Sequence, residues 1–217
     1  MKIAVLGTGM VGRTIGGRLV GLGYQVMMGS RTADNEKATA WKAEHGAMAS
    51  HGTFSNAAAF GEIIFNCTKG MHTLEILELA GRQNLSGKIL VDVTNPLDFT
   101  KGFPPTLTVC NDNSLGEQIQ TAFPEIRVVK TLNTMTCSLM VDPNLIHKGE
   151  HHVFMCGNDD SAKKDVSKIL MEFGWKTDNI LDLGDITNSR GTEMFLPLWV
   201  RLMPVVGSTV FQIQLVK

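Results

Sequence analysis

A chain of 217 residues with a formal net charge of −1 admits one doubly wound domain with an extension, or two small domains. Lys and Arg together number 20 against 21 Asp and Glu, so there is no basic surplus for nucleic acid; the most apolar stretch, residues 194–206, is broken by Pro197, Arg201 and Pro204 and is too short to span a membrane. The four cysteines (Cys67, Cys110, Cys137 and Cys156) form no C-x-x-C pair and read as reduced thiols rather than a disulfide frame.

Met1-Lys2 leads straight into an apolar strand over residues 2–6, which leaves no room for a targeting segment; the expected compartment is the cytoplasm. That strand turns into Gly7-Thr8-Gly9-Met10-Val11-Gly12, and residues 12–22 carry a helical pattern. The G-x-G-x-x-G pattern thus stands in its required setting, strand before and helix after. Gly7 permits the tight turn, Gly9 lets the backbone approach a pyrophosphate, and Gly12 allows close helix–strand packing. The helix N-terminus offers unpaired N–H groups to the phosphates. A second strand over residues 24–29 ends in Ser30-Arg31, where an NAD-preferring site places Asp or Glu on the ribose 2′-hydroxyl. A carboxylate there repels a 2′-phosphate, whereas a hydroxyl and a guanidinium fork bind it. NADP(H) is therefore the expected cofactor. Lys37 either joins Arg31 at that phosphate or belongs to a mixed-charge helix start beside Asp34 and Glu36.

Further along, residues 35–49 predict a helix and residues 53–54 a short strand, with Ser55 as N-cap of a helix over 56–60. A strand over 62–67 leads through Thr68-Lys69-Gly70-Met71-His72 into a helix ending near Ala80. The next strand, 88–93, ends in Thr94-Asn95-Pro96. Residues 115–123 predict a helix, and 127–132 a strand ending at Asn133-Thr134. The rhythm continues with a strand over 152–156, a helix over 161–173 and a short strand over 179–183. A last helix over 189–202 is kinked or delayed by Pro197. This alternation predicts an α/β fold: a Rossmann-type, doubly wound, mostly parallel sheet with a small C-terminal α/β extension. The expected division is a dinucleotide-binding part over 1–140 and an extension over 141–217 that completes the acceptor cleft.

Ligands of such sheets lie beyond the carboxyl ends of the strands, where strand order reverses. That rule nominates Thr68, Lys69 and His72, then Thr94, Asn95 and Pro96, then Asn133, Thr134 and Cys137. Each has a plainer reading as a turn, cap or packing residue. The histidines show no H-x-x-x-H pairing, so no metal site is expected. No nucleophile–base–orienter set is visible either. His72 and Lys69 are the proton-donor candidates near the cleft, and hydride transfer needs none, since the cofactor carries that chemistry.

The assembled motifs resemble the family of coenzyme F420-dependent NADP reductases and their bacterial relatives. The resemblance runs through Gly7 to Gly12, Gly29-Ser30-Arg31, Val128 to Thr134, Cys156-Gly157-Asn158-Asp159-Asp160 and Gly184 to Arg190, essentially the whole chain. It implies that Thr8, Gly9, Met10 and Val11 hold the pyrophosphate, that Ser30, Arg31 and Lys37 hold the 2′-phosphate, and that Thr68, Asn95 and Cys137 line the ribose–nicotinamide end. The acceptor half departs from the pattern. Asn133-Thr134-Met135-Thr136-Cys137 replaces a His-Thr-Ile-Pro-Ala type of segment, and the loop from Thr68 to His72 lacks a Pro-Trp pair.

The expected function is hydride transfer between NADPH and a small-molecule partner, coenzyme F420 or a flavin. Two other readings fit the same residues: a non-catalytic NADP(H)-binding redox sensor, or a reductase of small imines or carbonyls. Phe195, Leu198, Trp199, Leu202 and Met203 recur at helical spacing, and Val210, Phe211, Ile213 and Leu215 follow as a strand-like run. These apolar residues suggest a homodimer, with core packing as the more ordinary account.

Overall fold

Along β1 (Lys2–Leu6), Ile3 and Val5 point to one side and Ala4 and Leu6 to the other, and all four are fully buried. A strand that is apolar on both sides belongs at the centre of a sheet covered on both faces. In the computed structural model, which describes residues 1–216, β1 is a central strand. The chain continues through α1 (Met10–Gly21), β2 (Gln25–Ser30), α2 (Glu36–His45), β3 (Ala49–Thr53), α3 (Phe54–Phe60), β4 (Ile63–Asn66), α4 (Thr73–Ala80), α5 (Arg82–Leu85) and β5 (Ile89–Asp92). A small hairpin of β6 (Leu97–Asp98) and β7 (Thr106–Leu107) precedes α6 (Leu115–Ala122) and β8 (Arg127–Thr131). Then come α7 (Cys137–Val141), β9 (Val153–Cys156), α8 (Asp160–Phe173), β10 (Ile180–Asp182), α9 (Ser189–Met194) and α10 (Leu196–Val206).

The main sheet has eight strands in the order β10-β9-β8-β5-β4-β1-β2-β3. All neighbours run parallel except β8 and β9. The fold is the doubly wound α/β arrangement that the alternation of elements predicts. Strand order reverses between β1 and β4, which places the ligand crevice at Gly7 and Cys67. One core cluster joins Ile3, Val5, Phe65 and Val91 to Ile15, Leu19, Trp41 and Phe173; the other joins Leu6, Ile64 and Leu90 to Phe54, Leu77 and Ile119. Each fully buried Leu, Ile or Phe contributes roughly 1.5–3 kcal/mol relative to exposure. Strands β9 and β10 extend the same sheet, so the residues beyond 140 add to it rather than form a sheet of their own.

Several boundaries differ from the sequence expectation for identifiable reasons. The cap of α3 is Thr53, not Ser55: its side chain accepts from the Asn56 N–H at 3.1 Å while Asn56 reaches back to the Thr53 N–H at 3.0 Å, a reciprocal capping box. Helix α2 ends at His45 because Gly46 takes φ +71°, and the chain then enters β3, longer than the two residues expected. The last helix is two helices, with Pro197 in the first turn of α10, where its missing N–H costs nothing. The run from Val210 to Leu215 forms no strand and joins no sheet among the described residues. It is held by His152, whose N–H donates to Ile213 O at 3.4 Å, and by Phe211 stacked on Trp199 at 5.3 Å. No helix among the described residues is long and apolar enough to cross a membrane.

Candidate functional site: a dinucleotide cleft opening into an apolar chamber

The turn after β1 is set by close backbone approach. Gly7 takes φ +115°, and its N–H donates to Gly29 O at 3.0 Å. A Cβ at Gly7 would stand 2.6 Å from Cys67 O, and one at Gly12 would stand 2.1 Å from Gly7 O; neither fits. A Cβ at Gly9, by contrast, meets nothing within 4 Å and would project into open space. Gly9 is the N-cap of α1, makes no side-chain cap bond, and no acidic residue occupies the first turn. The first N–H groups of this helix have no intrahelical acceptor and carry the positive end of its dipole. Glycine on the open side and unsatisfied donors behind it make the cradle a phosphate needs.

Around this turn lies a cleft of about 570 Å³, bordered by Gly7, Thr8, Gly9, Met10 and Val11 on one side and by Ser30, Arg31 and Asn35 on another. Arg31 is exposed at its rim. Ser30 is buried, and its hydroxyl donates to Thr32 O at 2.5 Å, so in this state it shapes the turn rather than presenting its proton to the cleft. Lys37 is exposed on α2 and does not border the cleft. His72 does border it, with Nδ1 at 3.7 Å from Glu75 Oε2 in a loose, solvent-exposed contact.

The cleft continues into a second chamber of about 540 Å³ through the shared residues Val11, Cys67, Thr68 and Lys69. Val93, Leu97, Phe99, Met135, Met140 and Leu196 make this chamber largely apolar. Its polar edge is a clasp between two loops: Asn95 Nδ2 donates to Asn133 O at 2.8 Å, and Asn133 Nδ2 donates to Asn95 Oδ1 at 2.9 Å. Asn133 Oδ1 is left buried without a partner. A buried orphan acceptor at the chamber wall fits an amide donor such as the nicotinamide carboxamide. The residues present therefore fit a dinucleotide from 2′-phosphate to nicotinamide. Thr68, Asn95 and Asn133 come together here as the strand-end rule expects. Cys137 does not: it begins α7, buried in the core and away from both walls.

Beneath the chamber lies a fully buried ion cluster that no local sequence pattern announces. Lys130 Nζ is 2.7 Å from Asp92 Oδ2, 2.8 Å from Glu193 Oε1 and 2.6 Å from Thr94 O. Asp92 Oδ1 accepts from Asn66 Nδ2 and from Thr94 Oγ1, each at 2.8 Å. Asn66 Oδ1 in turn accepts from Thr68 Oγ1 at 2.8 Å. The Glu193 carboxylate takes the N–H groups of Leu115 at 2.8 Å and Gly116 at 3.0 Å, at the N-terminus of α6. Burial opposes the charge on Lys130, but Asp92 and Glu193 outweigh it and hold its pKa above the ordinary lysine value. Through Thr94 and Thr68 the cluster fixes the loops that carry Asn95 and the junction of the two cavities. Cys67 at that junction stays a thiol, because burial and then the nearby Asp92 push its pKa upward.

Residues 2–96 match the family model described as NADP oxidoreductase, coenzyme F420-dependent. The crystal structure of a protein from Arthrobacter sp. FB24, with the provisional description F420-dependent NADP reductase, superposes at a TM-score of 0.96 with 48% identity, covering 100% of both chains. Metalloreductase STEAP3 of Rattus norvegicus is 33% identical over 205 residues, 94% of this chain but 37% of that protein. The chain thus spans little more than a third of the length of the curated relatives it matches. An imine reductase from Bacillus cereus BAG3X2 shares the fold alone, at 16% identity and a TM-score of 0.65 over 95% of this chain and 62% of its own. With a full-length match at 48% identity and the phosphate cradle in place, the chain belongs to the family of coenzyme F420-dependent NADP oxidoreductases, with NADP(H) as its cofactor.

Proposed function

We propose that this protein transfers hydride between NADPH and a flavin-like or deazaflavin acceptor. The observation that carries the reading is the continuity of the phosphate cleft with an apolar chamber through Val11, Cys67, Thr68 and Lys69. When bound, NADPH supplies the hydride, and the reduced acceptor draws its accompanying proton from solvent. The chain's part is to bind, orient and exclude water. The α1 N-terminus and Arg31 anchor the phosphates, the Asn95–Asn133 clasp orients the carboxamide, and the methionines and Leu196 give the chamber its apolar wall. The titratable side chains at the chamber wall are Cys67, Lys69 and Asp98. Asp98 stays a carboxylate, because the Thr100 N–H and hydroxyl hold its pKa down. No protonated carboxyl is therefore poised to protonate a substrate, which suits hydride transfer.

Lys69 supports a second reading. It borders both cavities and has no ion-pair partner among the described residues, so it is placed to protonate a small imine or carbonyl. One experiment separates the readings: follow NADPH absorbance with coenzyme F420, FMN, FAD and a small cyclic imine as acceptors. Reduction of F420 or flavins carries the proposal. Reduction of the imine alone, abolished in Lys69→Met, transfers it to the second reading. Tight NADPH binding without turnover favours the redox-sensor reading instead. A homodimer stays part of the proposal, since Leu198, Val205, Val206 and Leu215 remain exposed; a solution mass near 23.7 kDa disposes of it.

A further inference from the structure

The hairpin of β6 and β7 grows directly from the turn that carries Asn95. Leu97 N–H donates to Asn95 O at 2.9 Å and Thr108 N–H donates to Pro96 O at 2.8 Å, so its base is tied to the nicotinamide end of the cleft. Its tip is also fixed. The Asp98 carboxylate accepts from the Thr100 N–H at 2.8 Å, and the Gly102 N–H donates to Phe99 O at 2.9 Å. These bonds hold Phe99 in the chamber wall, where it keeps 56% of its surface exposed. Large apolar side chains are normally withdrawn from water, and one left open on a concave wall presents area that a ligand can cover. A phenyl face favours another π system in offset or edge contact, and Met71 and Met135 on the same wall add polarizable sulfur, which also favours aromatic rings.

We propose that Phe99 is the platform on which the acceptor's ring stacks, and that it selects planar conjugated acceptors over small aliphatic imines and carbonyls. This rests on the hydride-transfer reading above. Apart from Lys69 and Asp98, the chamber offers no ionised group to grip a polar substrate, so ring contact carries the discrimination. The hairpin thereby couples the two halves of the site, since the segment that orients the nicotinamide end through Asn95 also presents the acceptor surface.

The test uses the full chain with Phe99→Ala, Phe99→Leu and Phe99→Tyr. Melting temperatures should stay together, because Phe99 is not part of either core cluster. For FMN and coenzyme F420, Phe99→Ala should raise KM about tenfold, from lost stacking and covered area. Phe99→Leu, with bulk but no π face, should recover only part of this, and Phe99→Tyr nearly all. KM for NADPH should hold within about twofold in all three. An unchanged KM for FMN and F420 in Phe99→Ala, or a parallel rise for NADPH, overturns the proposal while leaving the hydride-transfer reading in place. Wild-type protein that reduces neither flavins nor F420 defeats that reading instead. The Phe99 proposal is then decided by direct binding, through quenching of FMN and F420 fluorescence. Equal quenching by wild type and Phe99→Ala refutes it; quenching by wild type alone upholds it.

Discussion

At the end of β1 the chain prepares a site with its backbone: glycines clear the space, and the α1 N–H groups stay unpaired by any side-chain cap. At the ends of β5 and β8 it does the reverse, with side chains from Asn66, Asp92, Lys130 and Glu193 pairing among themselves and with backbone groups in a volume closed to water. The first region gains its free energy when a ligand arrives; the second gains it on folding, and serves the ligand by holding the loops still. The two should respond differently to substitution, with losses of affinity in the cradle and losses of stability in the cluster.

Lys130→Met offers the largest effect. It leaves the Asp92 and Glu193 carboxylates buried and facing one another, and removing one partner of a buried ion pair costs about 3–5 kcal/mol. For a chain of this length that lowers Tm by roughly 6–20 °C at about 2–4 °C per kcal/mol. Adding Glu193→Gln to the same variant should recover part of the loss. A Tm within about 2 °C of wild type would mean that the cluster is no structural anchor. Arg31→Ala should do the opposite, leaving Tm in place while weakening NADPH by about 1.5–3 kcal/mol and NADH hardly at all. An equal loss for both cofactors in a titration removes Arg31 from the 2′-phosphate.

The glycines sharpen the contrast within one motif. Gly9→Ala adds a methyl to open space, so the free protein should melt as wild type does, while the methyl obstructs the pyrophosphate and weakens NADPH by about 1–3 kcal/mol. Gly12→Ala drives its methyl against Gly7 O and should lower Tm as well. Calorimetry on both variants with and without NADPH separates the two effects. Identical behaviour would mean that the cradle is not laid out as described.

The same contrast explains what the sequence made legible. The cradle is local: strand, glycine turn and helix lie within about twenty residues, and each glycine answers to a steric rule that can be read without a fold. The strand ends that deliver Thr68, Asn95 and Asn133 followed from the periodicity of buried strands. The cluster joins positions 66, 92, 130 and 193, whose proximity exists only once the strands are ordered and α9 has folded back. Lys130 within an apolar strand was the available signal, a charge where the pattern calls for none, whereas Glu193 follows the polar residues 188–192 and carries no such mark. The β6–β7 hairpin escaped notice because its strands are two residues long, shorter than any alternation can reveal. Cys137 was nominated by its place after a strand, but α7 turns it inward.

The smallest effect tests the rim of the sealed cluster. Glu117, in the first turn of α6, accepts from Arg190 Nε at 2.8 Å and Nη2 at 2.5 Å, and from Ser114 Oγ at 2.7 Å. The Arg190 hydrogen bonds, with Ser114 and against a smaller effect of burial, hold the Glu117 pKa below the ordinary glutamate value. A carboxylate whose folded pKa is depressed adds stability above its unfolded pKa and surrenders it as pH falls through the folded value. The contribution is therefore complete at neutral pH, and it fades below the ordinary glutamate range of about 4.3. Because Arg190 is partly exposed and the pair is screened, the expected size is under about 1 kcal/mol. Denaturation of Glu117→Gln should show a slightly lower stability at pH 7 and a shallower acid limb than wild type. The two curves should converge below the folded pKa of Glu117, where the wild-type carboxylate too has lost its charge. Parallel curves down to that point would place the acid sensitivity of this end of the molecule elsewhere, with Asp185 the next group to test, since the Thr187 hydroxyl and N–H hold its carboxyl down in the same way.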